Sequence, residues 1–280
     1  MKCKVILFCC VMLVANYLVI AQQHPINNIC NSIEQNVPTT WGPLHEGDVN
    51  FSKRVVRIID LREKQNQVLM HPKNALPVIL YNAIKSKKLI AFKNDSCTSI
   101  YSPEKVQTFG VDTQFVETPN VNNPEDLTTD TIVTPFDPLR QIYKLRIVED
   151  WYYDKKHSSF RIRILSIAPV YKLKIAGVEL GDQDLCVLRY YYNNLAKPND
   201  VRNLLAKKCI FNRQNDAALM SFDAFFEGRY FSSYVIKVSN QFDFYIKDQA
   251  EYRDNGVGAI LENQLFQDEL MKREHDEYEN

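Results

Sequence analysis

Apolar residues recur with two different periods along the chain, and the change of period lies near residue 139. In residues 51–67 (FSKRVVRIIDLREKQNQ), four apolar residues have helical spacing: Phe51, Val55, Ile58 and Ile59. The opposite face of such a helix would carry three exposed cations: Lys53, Arg57 and Lys64. Asp48 is a suitable N-cap. The pattern therefore predicts a basic amphipathic helix here.

A second helix is predicted over residues 75–87. Its inward positions share the helical period and are all apolar: Leu76, Ile79, Leu80, Ala83 and Ile84. Pro77 falls in the first turn, where a proline is tolerated. Residues 89–92 then predict a short strand. Residues 48–110 are accordingly expected to form an N-terminal helical part.

After residue 139 the apolar period falls to two, which indicates strands. Residues 142–153 and 159–168 flank the polar stretch 154–157 and predict a β-hairpin. Further segments are expected to be strands: 171–176, 185–192 and 230–238. Short helices are expected after Pro198 and after Ser221, and a last helix over 255–273. The predicted fold class is α+β: an N-terminal helical segment, a mainly antiparallel sheet with flanking helices, and a long C-terminal helix.

Residues 111–138 divide the two parts. They contain four prolines, six acidic residues and no Lys or Arg. This composition predicts a long acidic loop or a disordered insertion between residues 48–110 and 139–280. Residues 22–47 are rich in Asn, Gln and Pro without any period, and predict an extended N-terminal arm.

The first 21 residues have the pattern of a secretion signal. Lys2 and Lys4 precede an apolar run over 5–15, and a small-residue cleavage pattern ends at Ala21. Cleavage is expected between Ala21 and Gln22. The alternative is an uncleaved membrane anchor, although the apolar span is short for a bilayer. The expected product is exported and has no direct membrane insertion.

Charge is balanced overall but separated along the chain, with 34 basic and 34 acidic residues. Residues 51–93 contain ten Lys or Arg against two acids, whereas 94–138 contain eight acids against Lys105. Such blocks predict electrostatic docking within the chain or between copies, with Lys53, Arg57 and Lys64 as the candidate partner interface. The alternative is that each block is an ordinary solvated face.

Motifs for catalysis or cofactor binding are lacking. The sequence has no Gly-rich phosphate loop, no G-x-S-x-G and no H-E-x-x-H. His157 lies in a predicted hairpin turn, Cys186 in a predicted strand, and Asp182 with Asp184 near a turn. We therefore predict no catalytic, cofactor or metal site. A triad assembled in space stays open, because its members need not be neighbours in sequence.

Four cysteines follow the predicted signal: Cys30, Cys97, Cys186 and Cys209. An even count in an oxidising compartment allows three pairings. The sequence leaves a disulfide and free thiols equally open. The wide spacing argues against a zinc site, which needs ligands a few residues apart.

Three segments carry a family resemblance: HEGDVNFSKRVVRIIDLREKQNQVL (45–69), EDWYYDKKHSSFRIRILSIAPV (149–170) and FNRQNDAALMSFDAFFEGRYFSSYVIKVSNQFD (211–243). They resemble the GldN family, called PorN in non-gliding members, of the bacterial type IX secretion system. The charged ending LFQDELMKREHDEYEN is similar too. The resemblance spans residues 45–280 in the right order. The acidic segment 111–138 and the four cysteines are not part of it.

The resemblance implies a non-enzymatic periplasmic component of a ring beneath the outer membrane, supporting protein secretion and, where present, gliding motility. The implied partners are a ring lipoprotein of the GldK/PorK type, the periplasmic part of the motor protein GldM/PorM, and further copies of the chain. The lipoprotein would hold it at the outer membrane. An exported chain makes a nucleic-acid role for the basic segment improbable.

Two other functions stay open. One is an extracytoplasmic hydrolase, which an apolar pocket with convergent polar groups would favour. The other is a binding module for cell-wall or secreted-protein ligands, which an exposed Trp41 or Trp151 beside a groove would favour.

Overall fold

A seven-stranded antiparallel sheet forms the centre of the protein. The computed structural model describes residues 37–38, 41–42, 44–120, 123–175, 178–191, 200–210, 220–253 and 255–279. The strand order across the sheet is Tyr234–Val238 (β11), Val49–Asp60 (β1), Ile142–Asp154 (β5), Ser159–Ile175 (β6), Val187–Arg189 (β8) and Ala91–Phe92 (β2), and Val178–Asp184 (β7) also pairs with β6. Two further two-stranded sheets lie outside this path: Asp112–Asn120 (β3) with Asn123–Thr134 (β4), and Cys209–Ile210 (β9) with Met220–Ser221 (β10).

The strands have the following bounds: β1 Val49–Asp60, β2 Ala91–Phe92, β3 Asp112–Asn120, β4 Asn123–Thr134, β5 Ile142–Asp154, β6 Ser159–Ile175, β7 Val178–Asp184, β8 Val187–Arg189, β9 Cys209–Ile210, β10 Met220–Ser221 and β11 Tyr234–Val238. The α-helices have these bounds: α1 Leu76–Lys85, α2 Pro103–Gln107, α3 Pro138–Gln141, α4 Val201–Ala206, α5 Phe222–Glu227 and α6 Gly256–Glu279. Short 3₁₀ helices occupy Glu46–Asp48, Asn66–Met70 and Ile246–Asp248. The α+β class is confirmed.

The predicted first helix is wrong, because residues 49–60 form strand β1. It pairs with β5 on one side and β11 on the other, with Val55 opposite Glu149. Four β-branched residues, Val55, Val56, Ile58 and Ile59, favour the extended backbone. All four are buried, because β1 is covered on both faces. A run buried on both faces loses the strict alternation that marks a half-exposed strand.

The main hydrophobic core lies between one face of the sheet and helices α1, α4 and α5. Ile59, Leu145 and Ile147 of β1 and β5 have no exposed surface. Helix α1 is confirmed as predicted, with Pro77 in its first turn. Its inner face contributes Leu76, Leu80, Ala83 and Ile84 to this core. Region 48–110 thus supplies both a helix that packs on the sheet and one of the central strands of that sheet.

Strands β5 and β6 form the long hairpin that the period of two predicted. Tyr153 lies opposite Phe160 and Asp154 opposite Ser159, next to the turn. The Asp154 carboxylate accepts backbone hydrogen bonds from Lys156 and His157, at 3.1 and 3.3 Å. This acceptor satisfies turn amides that have no partner in the ladder.

Residues 111–138, expected to be a loop or a disordered insertion, contain the β3–β4 hairpin instead. Asp112 pairs with Thr134 at its base. Phe136 holds the segment after β4 against the body of the protein, since its ring centroid is 5.1 Å from that of Tyr81 and 5.6 Å from that of Tyr171. Proline is disfavoured inside sheets but tolerated in a two-stranded ribbon, whose strands each have a free edge.

Helix α6 packs along the β11 side of the sheet and ends the described chain. Ala259 and Leu270 are buried in a second hydrophobic cluster with Val55, Val235 and Val238. No helix among the described residues has the length and apolar content that a membrane span requires.

Replacing residues 113–133 with a short Gly/Ser linker should leave the protein folded, because β3 and β4 share no ladder with the seven-stranded sheet. We expect a change in unfolding free energy below about 1 kcal/mol, as for changes away from the core. Urea denaturation measures it. The control is Ile147→Asp, which should unfold the protein by placing a charge among core residues. A large loss on removing the hairpin would mean that the ribbon is part of the core.

Candidate partner-binding surface

The three cations predicted to share one surface lie in different surroundings. Lys53 and Lys64 are exposed, but Arg57 is only 4% exposed. Its expected exposure is wrong, because a strand that is covered on both faces buries the positions that a helix would expose. Lys53 Nζ donates to the carbonyl oxygen of Ser239 at 3.4 Å, at the end of β11.

Arg57 belongs to a buried polar cluster that we call the Glu149 cluster: Arg57, Glu149, Trp151, Arg229 and Ser233. The Glu149 side chain has no exposed surface, and Arg229 binds its two oxygens at 2.9 and 3.2 Å. Trp151 Nε1 donates to Glu149 Oε2 at 3.0 Å, and Arg57 Nε donates to Ser233 Oγ at 3.0 Å. Polar groups of three segments, β1, β5 and the chain between α5 and β11, are thereby satisfied inside the protein.

The Glu149 cluster holds two guanidinium groups and one carboxylate. Burial lowers the pKa of Arg57 to about 10, with Glu149 opposing this effect and Arg229 adding to it. Arg57 therefore keeps its charge at neutral pH, although it is removed from water. Both guanidinium groups also lie near the Trp151 ring, at 6.0 and 5.4 Å from its centroid, for Arg57 and Arg229 respectively. The arrangement joins β1, β5 and the chain after α5.

Lys53 lines a groove of about 400 Å³ between β1, the loop after β11 and helix α6. The groove has an apolar lining that includes Phe51, Val238, Ile246, Phe266 and Leu270. Its charged lining residues are Lys53, Arg273 and Glu269. Arg273 lies 4.9 Å from the Phe51 ring centroid and 3.4 Å from the Glu269 carboxylate. We call this feature the Lys53 groove.

Residues 239–245 form a tight loop beside the Lys53 groove, which we call the Phe242 loop. The Asn240 side chain closes it: its amide nitrogen donates to the carbonyls of Val238 and Phe244, at 3.1 and 2.8 Å. Its oxygen accepts from the backbone nitrogens of Phe242 and Phe244, both at 3.1 Å. Lys237 also binds Asp243 at 2.6 Å. These bonds fix one loop conformation.

This ordered loop presents two phenylalanines to solvent. Phe242 is 72% and Phe244 50% exposed, and their rings stack with centroids 5.8 Å apart. Large exposed aromatic groups on a fixed backbone are typical of protein interfaces, because binding buries area at little entropic cost. This pair is not among the residues predicted from the sequence. The signal available was two phenylalanines in the polar stretch after β11.

The two tryptophans do not form the exposed platform that a ligand-binding module would offer. Trp151 is buried in the Glu149 cluster. Trp41 packs edge-on against Tyr191, with ring centroids 4.6 Å apart, and the cations of Arg163 and Arg202 lie over its ring. Trp41 therefore anchors the end of the predicted arm to the protein body.

Three side chains of types that can act in catalysis, those of His157, Ser221 and Cys186, are accounted for by the fold. His157 Nδ1 is 2.7 Å from Asp154 Oδ2 in the β5–β6 turn. Ser221 Oγ accepts the Ala224 amide at 3.1 Å as the N-cap of α5. Burial raises the pKa of Cys186 to about 12, so its thiolate is scarce at neutral pH. None of the three forms a nucleophile–base pair with another.

A cavity of about 820 Å³ beside α2 and β6 is lined by Tyr143, Lys172 and Glu179, among others. Lys172 binds Glu179 at 3.2 Å, and Tyr143 donates to Asp182, which also binds Lys144 at 2.8 Å. Burial is the main cause that raises the pKa of Tyr143. A search for three or more His, Cys, Asp or Glu side chains placed to hold a metal found none in the part of the chain described.

Cys97 and Cys186 are buried free thiols, and Cys209 is buried where β9 begins. Cys30 lies outside the described residues, as does the cleavage site at Ala21 and Gln22. Signal cleavage and any bond to Cys30 stay predictions.

Comparison with protein families gives a match over residues 44–279, to the model described as "Gliding motility associated protein GldN". The match includes the residues of the Glu149 cluster, the Lys53 groove and the Phe242 loop. No curated protein matches the chain.

Glu149→Gln should lower the unfolding free energy by about 3 kcal/mol, because the buried Arg57 and the partly buried Arg229 would lose the carboxylate that lies between them. The matched control is Asp150→Asn in the same strand, where the carboxylate binds Arg54 at 2.7 Å on a surface with 27% and 58% of the two side chains exposed. That control should cost less than about 1 kcal/mol. Equal losses for the two variants, measured by urea denaturation, would contradict the structural role of the cluster.

Proposed function

This chain belongs to the GldN family of gliding-motility and type IX secretion components, and we propose that it is a non-enzymatic structural subunit of the periplasmic secretion ring. The observation that carries the proposal is the family match over residues 44–279. It extends over nearly the whole sequence and includes both the buried cluster and the exposed surface.

The exposed aromatic and charged surface of the protein supports a role in assembly. The Phe242 loop and the Lys53 groove join exposed aromatic, apolar and charged groups on one side of the sheet. An interface core uses such aromatic anchors, and peripheral charges steer its partner. Ser221 is a helix cap, His157 makes a contact in a turn, and Cys186 is a thiol in the core. A ring subunit needs a surface that binds its neighbours and has no need of a reactive centre.

The proposed partners are a ring lipoprotein of the GldK/PorK type, the periplasmic part of the motor protein GldM/PorM, and further copies of this chain. The lipoprotein would hold the subunit at the outer membrane. The predicted signal over residues 1–21 supports export to the periplasm.

The test is deletion of the gene in its native host, followed by complementation with a tagged chain. We expect loss of type IX cargo secretion on deletion, recovery on complementation, and co-purification of the lipoprotein from the envelope. Normal secretion in the deletion strain would contradict the proposal. A tagged chain that restores secretion without retaining any envelope protein would contradict the ring role.

A catalytic role is tested in the same strain by His157→Ala and Cys186→Ala. Both should support normal secretion when the variant protein accumulates to wild-type level, because neither group acts on a substrate. Immunoblotting of cells provides the folding control. Loss of secretion by a variant that is abundant and still bound to the lipoprotein would indicate an unrecognised enzyme.

Export is tested by the mass of the chain purified from the native envelope. The protein should begin at Gln22, after loss of residues 1–21. A mass that includes the apolar run 5–15 would instead indicate a retained membrane anchor.

A further inference from the structure

Two features of the described part of the chain can engage a second molecule: the Lys53 groove with its Phe242 loop, and the acidic hairpin β3–β4. We infer that the hairpin of one copy docks on the Lys53 groove and Phe242 loop of a second copy. The inference rests on the proposed function, since it names the contact by which ring subunits would join.

The Lys53 groove and the Phe242 loop form a preorganised binding surface. Asn240 makes four hydrogen bonds within the loop. Phe242 and Phe244 are therefore held outwards, with 72% and 50% of their surface exposed among the described residues. A fixed conformation reduces the entropy that is lost on binding.

Charge complementarity indicates which segment binds in the Lys53 groove. The groove contains Lys53 and Arg273, and its one anion, Glu269, is 57% exposed and only 3.4 Å from Arg273. Residues 111–138 contain six acids and no Lys or Arg. An acidic segment with apolar residues such as Val133, which is 57% exposed, therefore suits the cations and the apolar lining.

The hairpin has unused hydrogen-bonding capacity. Strands β3 and β4 pair only with each other among the described strands. A lone two-stranded ribbon is marginally stable in water, and its free edges can pair with another chain. With nine and twelve residues, these strands extend roughly 30–40 Å. That length is enough to cover both the groove and the loop.

The two features lie at opposite ends of the sheet. The hairpin leads through α3 into Ile142, the first residue of β5. Lys53 lies opposite Trp151, nine residues further along the same strand, which corresponds to roughly 30 Å. None of the residues lining the groove comes from the hairpin. A contact between them is therefore head-to-tail between copies, the type of contact that closes rings when repeated.

The test uses the purified mature chain and measures its self-association by analytical ultracentrifugation, at about 0.05 M and about 0.5 M salt. Lys53→Glu with Arg273→Glu changes the groove, and Glu125→Lys with Asp126→Lys changes the hairpin. Each pair should weaken self-association at low salt by about tenfold or more. The four changes combined should restore at least part of it, because the charges are exchanged.

The matched control is Lys87→Glu with Lys88→Glu, which reverses two exposed charges at the end of α1. It should leave self-association unchanged. Phe242→Ala with Phe244→Ala alters two exposed side chains, and circular dichroism checks that the variant is folded. It should weaken self-association at both salt concentrations.

Several results would overturn the inference: a monomer at all concentrations, no recovery in the combined variant, or undiminished self-association after removal of residues 113–133. Co-purification of the ring lipoprotein by the charge-reversed groove variant separates the two proposals. If the lipoprotein is retained and self-association is unaffected, the docking contact is wrong and the proposed function stands.

Discussion

The carboxylate of Glu149, which has no exposed surface at the centre of the sheet, is the constraint on which the structure depends. A buried charge needs a partner, since removing it from water costs several kcal/mol. Arg229 supplies that charge from the segment after α5, and Trp151 adds a hydrogen bond. The requirement fixes how the chain after α5 lies on β1 and β5. Each of the three segments that resemble the GldN family contributes to this one cluster.

Helices and strands could be predicted from the sequence where the local conformational preference of the residues agrees with their pattern of burial in the fold. Helix α1, the β5–β6 hairpin and the short helix after Ser221 were predicted, because their apolar periods are regular and their ends carry suitable residues. Strand β1 was not predicted, because the spacing of Phe51, Val55 and Ile59 fits both one face of a helix and one face of a strand. Pairing with β5 and β11 decided between them, and that pairing is a tertiary interaction.

The candidate surface was only partly predictable for a similar reason. Lys53 was identified from charge alone and lies in the groove, whereas Arg57 was placed on the surface and is buried. The groove is made by residues more than 200 positions apart, such as Phe51 and Arg273, so no local pattern indicates it. The exposed Phe242 loop lies next to it because β11 pairs with β1. The same sheet separates this surface from the acidic hairpin and makes the two ends of the molecule different.

The most direct test of hairpin docking between copies is photo-cross-linking in the native envelope, with a photoreactive residue in place of Phe242. The same residue in place of Ile100, which is 58% exposed near β2 at the other edge of the sheet, is the control. If the hairpin of one copy docks on the Phe242 loop of another, position 242 should give a product with the mass of two copies, with the cross-link mapped to residues 112–134. Labelling of position 242 that is no greater than that of position 100 would contradict it.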